Sequence, residues 1–317
     1  MKKFISFLYL VIFVKLAAFG QQDPQFTNYM QYKLGVNPGI AGENGKINGL
    51  ILNRYQWDGF TGGPKTLVFS ADASIMAFGS PGGIGLNVVS DQLGFAKYSY
   101  INANYAYQKE LGIGKLGVGF SLGLVNAEIN PKDWISSDDV LNETSGGQGD
   151  AYIPQTDVSQ MALDAGLGLY LSSNKYFLGF SVTHLNQTSI KYEDVESYYL
   201  VRHYYLMGGY NIKLSDPLFE LRPSFLFKSD FASWQLDVNM SIVFDERFWG
   251  GITYRVQDAI ALLLGMEMEN GLRFGYSFDV TTSALARYGY GSHEIFVSYS
   301  LDLEKNRNQK YKSIRFL

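Results

Sequence analysis

The side chains that most readily carry chemistry are few in this sequence. Its 317 residues include three histidines, His184, His203 and His293, and no cysteine. Without cysteine there is no thiol nucleophile, no disulfide framework and no thiolate metal site. The histidines fall on different expected strands without a clustered His or carboxylate spacing, so they read as loop or lumen residues rather than metal ligands. A hydrolase would need a nucleophile, a histidine and an orienting acid brought together. His293 and Asp302 come nearest, and a large fold offers such pairs by chance. Gly112 to Gly117 has the spacing of a dinucleotide fingerprint, but that fingerprint requires a following helix, and Val118 to Val125 continues as a glycine-rich strand. Between Ile129 and Ser159 lie Asp133, Asp138, Asp139, Glu143, Asp150 and Asp157, with Lys132 opposing them. They lack the regular spacing of a calcium loop and read as a solvated surface loop. No catalytic residue, metal site or cofactor is expected.

The elements around these residues follow from composition. Lys and Arg number 26 against 30 Asp and Glu, a formal net charge of −4, and the isoelectric point is about 5.5. A nucleic-acid partner is not expected of such a chain. Charged residues make up 18%, aromatics 15%, and glycine contributes 34 residues. Ordinary soluble domains carry about 25% charge and about 7% glycine. A mean hydropathy of −0.06 excludes a bundle of transmembrane helices. Many strands with one apolar face fit these totals.

Residues 1–20 read as a signal peptide. Lys2 and Lys3 precede an apolar run from Phe4 to Val14, and Ala18-Phe19-Gly20 supplies the small residues for cleavage before Gln21. The apolar run is too short for a ~30 Å hydrocarbon core.

The mature chain alternates apolar and polar residues with period two. From Trp234 to Ile242 one face is apolar and the other carries Gln235, Asp237, Asn239 and Ser241. Leu272 to Val280, Met161 to Leu171 and, apart from Phe296, Ile295 to Leu303 do the same. These runs have the ~9–11 residues of a tilted membrane strand, longer than the ~5–6 usual in soluble sheets. The expected strands are 46–57, 64–75, 83–91, 96–108, 114–128, 160–172, 176–184, 200–213, 218–228, 233–244, 247–256, 259–268, 271–281 and 292–303. Counted along the chain, the even-numbered connections are short and the long ones are odd-numbered: Ile129 to Ser159, Leu185 to Tyr199 and Thr282 to Gly291. Outer-membrane barrels have this one-sidedness, which puts both termini in the periplasm.

The fold class is therefore all-β: a transmembrane antiparallel β-barrel of about fourteen strands spanning 46–303. Ahead of it, 21–45 forms an N-terminal periplasmic or plug segment. Behind it, 304–317 forms a basic periplasmic tail. On the expected lumen face, Glu220, Arg222, Asp237, Arg255, Glu267, Arg273 and Asp279 mix signs, which favours pairing across strands over an ion-selective pore. Arginine placed on that face is expected to cost little provided the lumen has room. Leu262 to Leu264 is apolar on both faces, and Pro223 falls inside a strand without an evident reason.

The segments flanking the barrel, with the first hairpin, resemble the PorP/SprF family of the type IX secretion system of Bacteroidota. The matching residues are Gln22-Asp23-Pro24-Gln25-Phe26 with Tyr29-Met30, then Asn37-Pro38 with Ala41-Gly42. Arg54, Gln56-Trp57 and Gly59-Phe60 follow, with Gly63-Pro64 and Thr66. Gly83, Gly85-Leu86, Asp91, Gly94, Tyr105-Ala106-Tyr107 and the closing Arg315-Phe316-Leu317 complete the match. Gly39-Ile40 and Gly63 depart from the family's commoner residues. The resemblance implies a non-enzymatic barrel in outer-membrane lipid that supports secretion or surface attachment of specific cargo proteins, such as adhesins. It also implies a periplasmic OmpA-like, peptidoglycan-binding partner. A transport barrel for a small or hydrophobic solute is the alternative.

Overall fold

The computed structural model describes residues 23–77, 79–130, 158–192 and 195–302. The expected signal peptide, the acidic stretch after Asn130 and the basic tail lie outside these residues, as do Gln22, Arg315, Phe316 and Leu317.

The first half of the wall is β1 (Ile47–Tyr55), β2 (Lys65–Ala77), β3 (Ser80–Leu93), β4 (Ala96–Leu111), β5 (Gly114–Ile129), β6 (Val158–Ser172) and β7 (Tyr176–Thr183). A hairpin of β8 (Ser189–Tyr192) and β9 (Val195–Tyr199) follows in the connection to β10 (His203–Tyr210). The two-residue β11 (Ile212–Lys213) precedes β12 (Phe219–Ser229), β13 (Trp234–Phe244), β14 (Phe248–Arg255), β15 (Ala259–Glu267), β16 (Leu272–Thr281) and β17 (Ser292–Leu301). Each wall strand pairs antiparallel with its neighbours, β1 pairs with β17, and β10 pairs with β12 across the short β11. The sheet is thereby a closed barrel of fourteen strands. Each expected strand corresponds to one of them, because period-two alternation persists across nearly the whole wall.

Burial sorts the two faces. On β13, Val238, Met240 and Ile242 are exposed on the outside while Asp237, Asn239 and Ser241 are buried inside. Met240 sits beside Ile252 of β14, which sits beside Leu262 of β15, so exposed apolar side chains form a continuous belt. Such a belt is stable only against hydrocarbon. Closure removes the sheet edges whose unpaired backbone groups lipid cannot satisfy.

Two irregularities gain a cause. Pairing of β10 with β12 ends at Gly209 opposite Ser224, and pairing of β11 with β12 begins at Ile212 opposite Leu221. Pro223 therefore occupies the gap where its neighbour strand is interrupted, and its missing N–H costs no ladder bond there. Leu263, between outward-facing Leu262 and Leu264, points inward and is buried. The lumen is partly apolar, with Leu52, Val68, Val125 and Phe296 almost fully buried on its wall.

The connections of β5 to β6, β7 to β10 and β16 to β17 all leave the same end of the barrel. Turns at the other end are short, as at Gly112-Ile113 and Ser173 to Lys175. Ile47 and Leu301 pair directly at the short-turn end.

The belt makes a sharp prediction. Met240→Arg should cost about 2–4 kcal/mol if it lies near the bilayer midplane, read as loss of heat-modifiable folded protein, whereas Met240→Leu should leave folding unchanged.

Candidate functional site

Residues 23–45 run through the inside of the barrel. The segment has neither helical nor strand periodicity, and only one helical turn, α1 (Lys33–Val36), and a 3-10 turn, Pro38–Ile40, interrupt its irregular path. Irregular backbone needs partners for its N–H and C=O groups, and here the inward-facing wall supplies them. The Glu294 carboxylate accepts from the backbone N–H of Thr27 (2.9 Å) and of Asn28 (2.7 Å). Ser181 Oγ donates to Val36 O, Asn87 Nδ2 to Leu34 O, and Gln108 Nε2 to Ala41 O. Asp72 accepts from the Gly42 N–H.

Apolar contacts complete the seat. Tyr29, Val36 and Ile40 pack with Tyr170, Tyr205, Met207 and Leu226 of the wall. Lys33 lies 3.8 Å over the Phe177 ring and donates to the Tyr170 hydroxyl at 3.1 Å. Wall glycines let the two backbones touch. A Cβ on Gly119 would stand 2.2 Å from the backbone of Pro38 and Gly39, and one on Gly168 would stand 2.1 Å from Asn37 Oδ1. The high glycine content thus has a steric role on the lumen face.

Arg54 is the hub of a buried charge network. Its guanidinium reaches Asp279 at 2.7 Å, Glu294 at 3.1 Å and Thr27 Oγ1 at 3.0 Å. Arg255 reaches Asp237 at 3.0 Å and Asp279 at 3.2 Å, and also donates to Thr27 Oγ1. All five charged groups are nearly inaccessible. Nearer the other rim, Arg273 pairs with Glu267 and Arg222 with Glu220. Mixed signs on the lumen face do pair across and along strands. The room that would make arginine cheap on that face is taken at Ser277, which is fully buried and accepts from Asn28 Nδ2, whereas Gln235 borders a cavity.

The start of the segment forms a second cluster. Asp23 meets His184 Nε2 at 2.9 Å and the Tyr205 hydroxyl at 2.5 Å, and its backbone carbonyl accepts from Lys228 Nζ. His184 Nδ1 meets Asp164 at 2.9 Å. Burial disfavours charge on Asp23, yet His203 and His184 hold its carboxyl well below the usual carboxylate range. Burial likewise opposes charge on His184, but Asp23 and Asp164 raise it to about 10. His184 and His203 are not scattered, as their sequence positions imply: their rings lie 6.0 Å apart around Asp23. Nothing in the spacing of 23, 184 and 203 signals this meeting. Beside the cluster is a cavity of about 100 Å³, lined among others by Asp23, Pro24, Tyr205 and Arg255. His293, by contrast, meets the Tyr276 hydroxyl and packs with the Phe278 ring, centroids 4.9 Å apart.

The motif residues divide between these places. Asp23 and Pro24 lie at the cavity, and Arg54 in the charge network. Asn37 is fully buried, capping the 3-10 turn through Gly39 N–H and donating to Leu169 O and Phe180 O. Pro38 opens that turn, and Gly42 takes φ +69°, where a Cβ would strike Gly83. Gln56, Trp57, Gly59, Phe60 and Pro64 instead build the rim turn between β1 and β2. There Gln56 N–H donates to Pro64 O, Trp57 N–H to Ser292 Oγ, and Phe60 is exposed.

The segment also changes the placement of the chain's start. Asp23 lies beside the ends of β7 and β10 at the long-connection end, and Glu43 accepts from Lys115 at the short-turn end. An even strand number puts Ile47 and Leu301 at one end, but the segment ahead of β1 crosses the lumen, so Asp23 is at the opposite end from Leu301.

The sequence model for the type IX secretion system membrane proteins PorP/SprF matches residues 18–299. The chain belongs to the PorP/SprF family. It is thus an outer-membrane β-barrel component of that system, and family and fold together indicate a non-enzymatic membrane component. No curated protein sequence matches it. Among solved structures it is similar to the Ralstonia pickettii toluene transporter TbuX, with TM-score 0.50 and 10% identity over 84% of this chain and 92% of that one. The P. putida toluene transporter TodX gives TM-score 0.46 and 11% identity, over the same shares of the two chains, 84% and 92%. Mutant Rh. blastica porin gives 0.36 and 10%, over 81% and 99%. At such identities the likeness is one of fold.

Breaking one partner of a buried ion pair costs about 3–5 kcal/mol. Arg54→Ala should therefore free the segment while the lipid-facing belt keeps the wall inserted. A single cysteine at Met30, the only thiol in the chain, should react with a polar maleimide at least tenfold faster in Arg54→Ala than in the parent.

Proposed function

We propose that this PorP/SprF barrel acts as an accessory of type IX secretion in a member of the Bacteroidota, supporting secretion or cell-surface attachment of specific cargo proteins. Family membership across residues 18–299 carries the reading. The occupied lumen supports it physically, since a barrel filled by its own buried, ion-paired segment suits docking and anchoring better than free diffusion of solutes. The short turns and the end of β17 are assigned to the periplasm and the long connections to the cell surface. The tail after the barrel carries Lys305, Arg307, Lys310, Lys312 and Arg315 and ends in Phe316 and Leu317. Its charges cannot lie in hydrocarbon. In the periplasm they would steer, and the apolar end would anchor, a peptidoglycan-binding partner. Secreted cargo would meet the rim formed by the long connections.

A transport barrel for a small or hydrophobic solute is the second reading. The cavity beside Asp23 and the fold shared with a barrel described as a toluene transporter favour it, the latter weakly.

Removal of residues 305–317 separates the two. The truncated barrel should reach normal abundance, lose crosslinking to the periplasmic partner and reduce surface display of its cargo, with small-solute uptake unchanged. Normal cargo display at normal barrel abundance would defeat the docking role of the tail.

A further inference from the structure

Asp23, His184 and His203 come from three parts of the chain, the start of the lumen segment, the turn after β7 and the first residue of β10. Their ligand atoms all lie within 4.8 Å of one another. Both imidazoles have an oxygen partner at Nδ1. His184 Nδ1 is committed to the Asp164 carboxylate at 2.9 Å, and His203 Nδ1 to the Val201 carbonyl at 2.8 Å. His184 turns its Nε2 toward the Asp23 carboxylate, 2.9 Å from Oδ1, whereas His203 Nε2 accepts from the Asp23 backbone N–H at 3.4 Å and His203 Nδ1 stands 3.9 Å from Asp23 Oδ2. A carboxylate or backbone carbonyl on the far nitrogen of each imidazole is the outer-shell arrangement that orients metal-ligating histidines and raises their basicity. His184 and His203 are each almost completely buried.

From this geometry we propose that Asp23, His184 and His203 bind one zinc-class divalent ion, which clamps the start of the lumen segment to β7 and β10. Two imidazoles and a carboxylate are a borderline donor set suited to zinc or cobalt rather than to calcium or magnesium. Metal–ligand bonds of 2.0–2.1 Å place tetrahedral ligand atoms roughly 3.3 Å apart, so His203 Nε2 gives up the hydrogen bond from the Asp23 N–H and closes inward to complete the set. The adjoining cavity leaves a fourth position open to water. The ion takes the place of the proton that otherwise joins His184 to Asp23, and that proton leaves to solvent. The Asp164 contact stays in place behind it. This clamp is independent of any role in secretion.

The test uses the full-length mature barrel, untagged by histidine, stripped with chelator in detergent and titrated with cobalt(II). One cobalt per chain with an intense visible absorption, lost on adding zinc, is expected. His203→Gln and His184→Gln should each weaken binding at least tenfold, and Asp164→Asn by roughly 10–100-fold. His293→Ala, outside the cluster, should bind as the parent does. Heat-modifiability reports whether each variant is folded. Should a variant not fold, the parent spectrum decides. Absence of an intense band at one equivalent would overturn the site, as would undiminished binding by folded His203→Gln.

Discussion

Buried charges must be paired, and in this barrel the pairing includes the segment that fills it. Arg54, Arg255, Asp237, Asp279 and Glu294 lie in the lumen nearly out of reach of solvent. Isolated ions in such a place would cost several kcal/mol each. Arg54 faces Asp279 and Glu294, Arg255 faces Asp237 and Asp279, and Thr27 of the segment supplies the hydroxyl that both arginines share. Glu294 then spends both oxygens on the backbone N–H groups of Thr27 and Asn28 as well as on Arg54. Wall and segment therefore complete each other. Neither half of this network satisfies its polar groups alone.

The rest of the interior follows from that seating. A segment with little regular structure can be buried only if its backbone groups find partners, and wall side chains such as Asn87, Gln108 and Ser181 donate to it along its length. Glycines at 117, 119 and 168 remove the side chains that would hold the two backbones apart. Inward apolar residues, unexpected for an aqueous channel, pack on Tyr29, Tyr32, Val36 and Ile40. The PorP/SprF barrel thereby has its lumen occupied by its own segment and an apolar belt on its outside.

The wall was legible in the sequence because period-two alternation is a local signal, repeated over strands long enough to cross a bilayer. Pairing among the lumen charges was legible as interleaved sign. Segment 21–45 resisted because its order comes from the wall around it and leaves no period behind; composition showed only amides and aromatics. Its path through the lumen also escaped a counting rule for termini that considers wall strands alone. Pro223 made sense only once the break at Asn211 in the neighbouring strand was known. The meeting of Asp23, His184 and His203 carried no sequence signal, since contacts across a barrel interior have no characteristic spacing. Resemblance singled out Asp23, Asn37 and Arg54 as motif residues, but their burial and partners belong to the three-dimensional arrangement.

The most direct measurement of a filled lumen is the ionic conductance of the purified full-length barrel in a planar bilayer. A lumen occupied by residues 23–45 predicts protein that inserts without stable stepwise openings at modest voltage. Steady porin-like conductance steps from the unmodified, folded protein would contradict it.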